Sequence, residues 1–240
     1  MPVATGTDLS KVLLSRLQSA SAKIKVNSMG TVVDGEYYPM GTDSKEISKV
    51  YEKVVGRKVI GPVCQELGLV MKQNTCQNSY PDYVVTNGKE SFAVDVKTTY
   101  LKTSNNNNTL NGFTLGTYNG YFHDRSTGKS MMTGYTYGSF TSHICVCVVY
   151  KRHCINKEQE EIEHVAATAR YKWQVASRCT GSGNTCNIGG IKSLKDLVDG
   201  NSIFSSEEEY DEYWLSYKNS SSGGGNDTPR AKARGFFRRN

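Results

Sequence analysis

Asp82, Asp95 and Lys97 stand in the order Pro81-Asp82, twelve residues, Asp95-Val96-Lys97. Around them lie two short runs of β-branched and aromatic residues, Tyr83 to Val85 and Phe92 to Val96, separated by Asn87-Gly88. That dipeptide between apolar runs is the strongest short-range hairpin signal. A two-residue turn would set Thr86 opposite Lys89 and Asp82 opposite Ala93. Side chains alternate along a strand, so Ala93, Asp95 and Lys97 share one face, and Asp82 joins them. Two carboxylates held close together resist ionisation unless a cation lies between them, and hard oxygen ligands suit Mg²⁺. A neighbouring ammonium can orient or help deprotonate water. The pattern describes a metal-dependent phosphodiesterase site. The ordinary reading, a solvated hairpin edge, is weaker because Asp95 and Lys97 interrupt an otherwise apolar strand.

These residues need a frame, and the sequence outlines a mixed α/β one. Asp8 can cap a helix carrying Leu9, Val12, Leu13 and Leu17 at helical spacing. Thr31 to Tyr38 reads as an irregular strand pair. Asp43 or Ser44 caps a longer helix with Ile47, Val50, Tyr51, Val54 and Val55 on its apolar face, which Gly61-Pro62 ends or kinks. On that helix Lys45, Ser48 and Glu52 form a separate polar stripe that can face the hairpin, making Glu52 a secondary acid candidate. Ile144 to Tyr150 and Tyr171 to Ala176 read as strands. Ser206 and Glu209 form a capping box for a helix over 206–217, whose Tyr210, Tyr213, Trp214 and Tyr217 read as core. The stretch from Asn111 to Tyr137 has no clear periodicity.

The chain has 240 residues, enough for one substantial core, and residues 1–218 are expected to form a single domain. Of the formal net charge of +6, five charges come from Arg230, Lys232, Arg234, Arg238 and Arg239, so the body is nearly neutral. Residues 219–240 read as a Ser/Gly spacer and a flexible basic arm, with Arg230 and Arg234 as phosphate-seeking residues. Seven cysteines, an odd number, fit no disulfide framework, and neither a secretion signal nor a membrane-spanning run is evident. The expectation is an intracellular protein with reduced thiols and no membrane association. His143-x-Cys145-x-Cys147 could offer zinc ligands on one face, but the alternation with Val146 and Val148 reads better as a buried strand.

Gly181-Ser182-Gly183-Asn184-Thr185-Cys186-Asn187-Ile188-Gly189-Gly190 is the second unusual segment. Its glycines allow close backbone approach to a base edge, and asparagine can bond adenine in a bidentate fashion. A plain β-turn loop is the usual meaning of such a composition.

Taken in order, the blocks Tyr38 to Lys45, Tyr80 to Tyr83, Ala93 to Tyr100, Phe113 to Gly116, Gly181 to Gly189 and Ile203 to Trp214 carry a resemblance. The chain resembles the EcoRV family of type II restriction endonucleases, within the PD-(D/E)XK nuclease superfamily. That resemblance implies a central mixed β-sheet flanked by helices. It also implies that Asp82 and Asp95, with Glu52 nearby, hold Mg²⁺ while Lys97 assists the attacking water. Gly181, Ser182, Gly183, Asn184, Thr185 and Asn187 would enter the major groove of double-stranded DNA, Gln77 and Asn78 the minor groove, and Thr98 and Thr99 would lie near the backbone. A homodimer cutting the palindrome GATATC to blunt ends is implied, with a cognate DNA methyltransferase in the same system but not in complex. Cys76 and Cys186 depart from the family's glutamine and threonine. A same-fold repair or recombination nuclease and a non-catalytic DNA-binding module are the alternatives.

Overall fold

The computed structural model describes residues 8–24, 30–33, 36–39, 44–76, 79–102, 108–123, 135–154, 160–181 and 187–217. Helix α1 (Leu9–Ser21) starts at Asp8, whose carboxylate accepts the Lys11 amide, and buries Leu13 and Leu17. A small antiparallel hairpin, β1 (Gly30–Val33) and β2 (Glu36–Pro39), precedes α2 (Ser44–Val55). Gly61-Pro62 does not stop the helical path. Proline removes one amide donor and its ring presses on the preceding turn. The chain widens into a π-turn over Gly56–Ile60, where the Gly61 amide reaches the Gly56 carbonyl, and continues as α3 (Gly61–Leu67).

Strands β3 (Val70–Gln73), β4 (Tyr83–Thr86), β5 (Ser91–Tyr100), β7 (Ser142–Cys154) and β8 (Glu160–Tyr171) form a sheet in the order β3-β4-β5-β7-β8. Only the β5–β7 pairing is parallel, so the sheet is mixed. A second, antiparallel sheet has the order β6-β10-β9, from β6 (Thr114–Thr117), β9 (Ala176–Gly181) and β10 (Asn187–Gly190). Helices α4 (Leu194–Asp199) and α5 (Glu207–Ser216) complete the described elements.

The main sheet separates two apolar cores. Phe92, Val94, Ile144, Val146 and Val148 point to the side of α1, α2 and α3, whereas Ala93, Cys145, Cys147 and Val149 point to the side of the second sheet and α5. Covering both faces of β7 explains its unbroken apolar run, and Cys145 and Cys147 are packing residues in it. His143 is equally enclosed. Among the described residues no three His, Cys, Asp or Glu side chains are grouped to hold a metal.

Two strand readings change. Tyr171 to Ala176 is not a strand: it closes β8, turns through a 3₁₀ segment at Lys172–Val175 and opens β9. Glu160 to Tyr171, with little alternation of its own, is a strand because β7 pairs with it along nearly its whole length. At α5 the Ser206 hydroxyl accepts the Glu209 amide as expected, but the Glu209 carboxylate accepts from Ser205, one residue earlier than a capping box places it. Tyr210 and Trp214 are buried, as a core face requires.

Candidate active site

The hairpin that carries the acids has a longer turn than its Asn-Gly pair suggests. Asn87 Oδ1 accepts the amides of Lys89 and Glu90, at 2.9 and 2.7 Å, and Gly88 takes a φ of 87°. The side chain thereby stabilises a four-residue loop over 87–90 in place of a two-residue turn. Thr86 pairs with Ser91 and Val84 with Ala93, not Thr86 with Lys89 and Asp82 with Ala93. The shift is two residues, so every side chain keeps its face; a shift of one would have reversed them. Continuing the ladder one step past Tyr83–Val94 brings Asp82 opposite Asp95, closer than the sequence reading placed them.

Asp82 is fixed by its Oδ2, which accepts the Val96 amide at 2.7 Å, and by its carbonyl, which accepts the Asn74 amide at 2.8 Å. Asp95 is 2 % exposed, and its Oδ2 pairs with Lys97 Nζ at 2.6 Å. Burial pushes the Asp82 carboxyl well above the usual carboxylate range, and Asp95 pushes it further; Lys97 and the Val96 amide oppose this without overcoming it. Burial alone would lower Lys97, but Asp95 and Asp82 outweigh it and hold the ammonium above its ordinary value. One ammonium beside the two facing carboxyls leaves negative charge uncompensated whenever both are ionised.

Glu52 belongs to the same cleft, which has a volume of about 700 Å³ and is bordered also by Lys49, Gln73, Cys76, Tyr80 and Tyr121. The polar stripe of α2 does face the hairpin: Ser48 and Thr98 share a short hydroxyl hydrogen bond, and Tyr83 donates to the Glu52 carbonyl. The Glu52 carboxylate accepts from Gln73 Nε2 at 3.3 Å. The donor set that fits Mg²⁺ is therefore Asp82 and Asp95, with Glu52 at the cleft wall; one or two carboxylates with phosphate and water are what this ion usually takes.

Thr98 and Thr99 alternate to opposite faces. Thr99 is buried and donates to the Gly112 carbonyl at 3.1 Å, so its hydroxyl points into the protein in this structure. Gly181 and Asn187 pair with each other where β9 and β10 meet the loop between them. Three glycines of this hairpin are needed for packing. A Cβ on Gly181 would lie 2.7 Å from Thr114 Cγ2, one on Gly189 2.6 Å from the Cys179 carbonyl oxygen, and one on Gly190 2.4 Å from the Phe113 ring. Ser182, Gly183, Asn184, Thr185, Gln77, Asn78, Arg230 and Arg234 lie outside the described residues.

Behind the acids is a buried group that sequence reasoning did not find. Lys172 is 1 % exposed, with Nζ 3.9 Å from the Tyr80 ring centroid, 4.0 Å from that of Tyr121 and 5.1 Å from that of Tyr137. Two of these rings, Tyr80 and Tyr137, stack in turn on His143. Its Nε2 faces the Tyr137 carbonyl at 3.1 Å, and since a carbonyl only accepts, Nε2 carries the proton and Nδ1 accepts from the Tyr80 hydroxyl at 2.7 Å. Burial and Lys172 keep His143 well below its ordinary pKa, consistent with that neutral tautomer. No spacing rule links residues 80, 121, 137 and 172, which is why the cluster was not legible.

A mixed sheet with two facing acids and a lysine on one hairpin, beside a helix-borne glutamate, defines a nuclease of the restriction-endonuclease kind. The family model for restriction endonuclease EcoRV matches residues 26–233. The chain is 33 % identical to the type II restriction enzyme EcoRV of Escherichia coli over 205 residues, covering 78 % of this chain and 80 % of that protein. The chain belongs to the EcoRV restriction endonuclease family and is a site-specific deoxyribonuclease. Its fold is also similar to that of the NlaIV restriction endonuclease, with a TM-score of 0.51 at 9 % identity, covering 89 % of this chain and 79 % of that one. None of its described helices is long and apolar enough to cross a membrane.

Proposed function

We propose that the protein is a type II endonuclease that uses Mg²⁺ to hydrolyse both strands of duplex DNA at a palindromic hexamer, GATATC, leaving blunt ends, and that it works as a homodimer. The observation that carries the chemistry is the facing pair Asp82 and Asp95 with Lys97 bound to the second of them. Mg²⁺, when bound, supplies Lewis acidity toward a phosphoryl oxygen and makes water more acidic. Asp82 and Asp95 would hold it at the end of the β4–β5 hairpin, and Glu52 would contribute from α2. Lys97, kept protonated by its carboxylate neighbours, serves as a hydrogen-bond donor that orients the attacking water or a phosphate oxygen. Without the metal, Asp95 and Asp82 favour its charged form against the effect of burial.

The hexamer and the blunt ends rest on the likeness of Gly181 to Gly189 and of the catalytic blocks to the EcoRV family. Two-fold symmetry of a dimer matches the two-fold symmetry of a palindrome. A central TA step unstacks readily, so bending it toward the acids costs less than bending a stiffer step. A restriction enzyme of this kind works alongside a cognate methyltransferase and is placed in the bacterial cytoplasm with its DNA.

Digestion of a sequence-diverse plasmid with Mg²⁺, followed by sequencing of the ends, tests this reading. Discrete blunt ends within GATATC are expected. Ends at another palindrome would replace the hexamer, structure-dependent nicks would indicate a repair nuclease, and retention without cutting would indicate a binding module.

A further inference from the structure

We propose that Lys172 is a fixed counter-charge that weakens the hold of the Asp82–Asp95 cluster on divalent cations. This rests on the metal-binding role assigned above to those two acids. Lys172 lies on the same side of the sheet as Asp95, in the 3₁₀ turn between β8 and β9. Tyr80 and Tyr121, the two rings nearest its ammonium, also border the cleft onto which Asp82, Asp95 and Lys97 open. The charge is thus separated from the cleft by a layer of aromatic rings.

Among the described residues no acceptor lies within hydrogen-bond reach of Nζ. A buried ammonium without such an acceptor is costly, and the ring faces offset only part of that cost. Asp95 is the acid that favours its charge most, with Asp211 contributing less from α5; Lys97 opposes it from the same strand as Asp95. Burial brings its pKa down to about 7, so the ammonium is present in mildly acidic solution.

The sign of its effect on a metal follows from charge alone. A fixed positive charge repels a divalent cation twice as strongly as it repels a proton at the same place. A cation that displaces one proton from the acids therefore gains when the ammonium is removed. Lys172→Met keeps the length of the side chain and removes the charge. Replacing an unpaired buried charge with an apolar group of similar size is not expected to unfold the protein. Loss of packing would weaken metal binding, so tighter binding separates an electrostatic role from a structural one.

The test is titration of the full, DNA-free chain with Mn²⁺ at pH 6, followed by electron paramagnetic resonance of the free ion, on wild type, Lys172→Met, Lys172→Arg and Asp95→Asn. The expected result is roughly tenfold tighter binding by Lys172→Met, near-wild-type binding by Lys172→Arg and loss of binding by Asp95→Asn. If Asp95→Asn loses binding while Lys172→Met is unchanged or weaker, the counter-charge is refuted and the metal site stands. If wild type and Asp95→Asn bind alike, the metal site itself fails and the counter-charge with it.

Discussion

The molecule carries two hairpins held in place on opposite principles. In the β4–β5 hairpin the chemistry-bearing strand is paired on both sides, and its alternate residues enter two cores. Asp82 and Asp95 are set by main-chain pairing and a backbone amide, which leaves them little freedom. The β9–β10 hairpin belongs to a three-stranded sheet, its ladder is interrupted between Ile188 and Gly190, and most of its side chains on β9 are only half-buried. It is fixed at its base instead. Tyr213 donates to the Arg178 carbonyl at 2.6 Å, Arg178 pairs with Glu209, and Ser177 donates to the Gly189 carbonyl. Like charges can be held together only where the surroundings prevent their separation. A segment proposed to read base edges needs its root held in place.

The largest expected effect tests the first half of that contrast. Asp95→Ala should lower the cleavage rate by about a thousandfold or more while leaving the far-ultraviolet circular dichroism unchanged, since the acid contributes several kcal/mol of transition-state stabilisation rather than packing. Retained turnover would show that the hairpin is not the reaction centre. Gly189→Ala tests the root of the other hairpin. Its Cβ would meet backbone at 2.6 Å, and overpacking of this kind costs about 1–3 kcal/mol, visible as a lower urea midpoint. An unchanged midpoint would mean that the base of β10 yields freely.

Asn184→Ala tests the base-reading role proposed for the segment between β9 and β10. A loss of roughly 1–3 kcal/mol in discrimination between the cognate site and single-base variants is expected with non-specific DNA binding intact. Equal selectivity would remove Asn184 from base reading. The smallest effect concerns pH. Because the folded Asp82 carboxyl keeps its proton where the unfolded one has lost it, unfolding releases a proton there. Metal-free stability should fall as pH rises from the ordinary carboxylate range through the raised pKa. Asp82→Asn should flatten that part of the curve, and chemical denaturation at several pH values would detect a slope that persists.

Legibility in the sequence followed the range of the interactions. Helix α1, its Asp8 cap and the face shared by Asp82, Asp95 and Lys97 depend on neighbours a few residues away, and their patterns were readable. The hairpin register was displaced because the Asn87 side chain, not its backbone preference, decides the turn. Strand β8 was missed since Ala166, Ala167 and Ala169 give no alternation, and its conformation comes from pairing with β7. Lys172 could not be placed at all: a lysine is ordinarily a surface residue, and only tertiary packing of three distant tyrosines makes it an interior one.

The parallel ladder between β5 and β7 has a consequence for assembly. It joins Phe92 to Ser142, whereas the β4–β5 hairpin closes across a loop of only four residues. Hairpins form in about 1–10 μs, and contacts between remote segments come later because a longer loop must be closed. The two acids thus become neighbours while water still surrounds them. Where the second half of the chain shuts the solvent out, their repulsion is relieved by the proton that Asp82 retains.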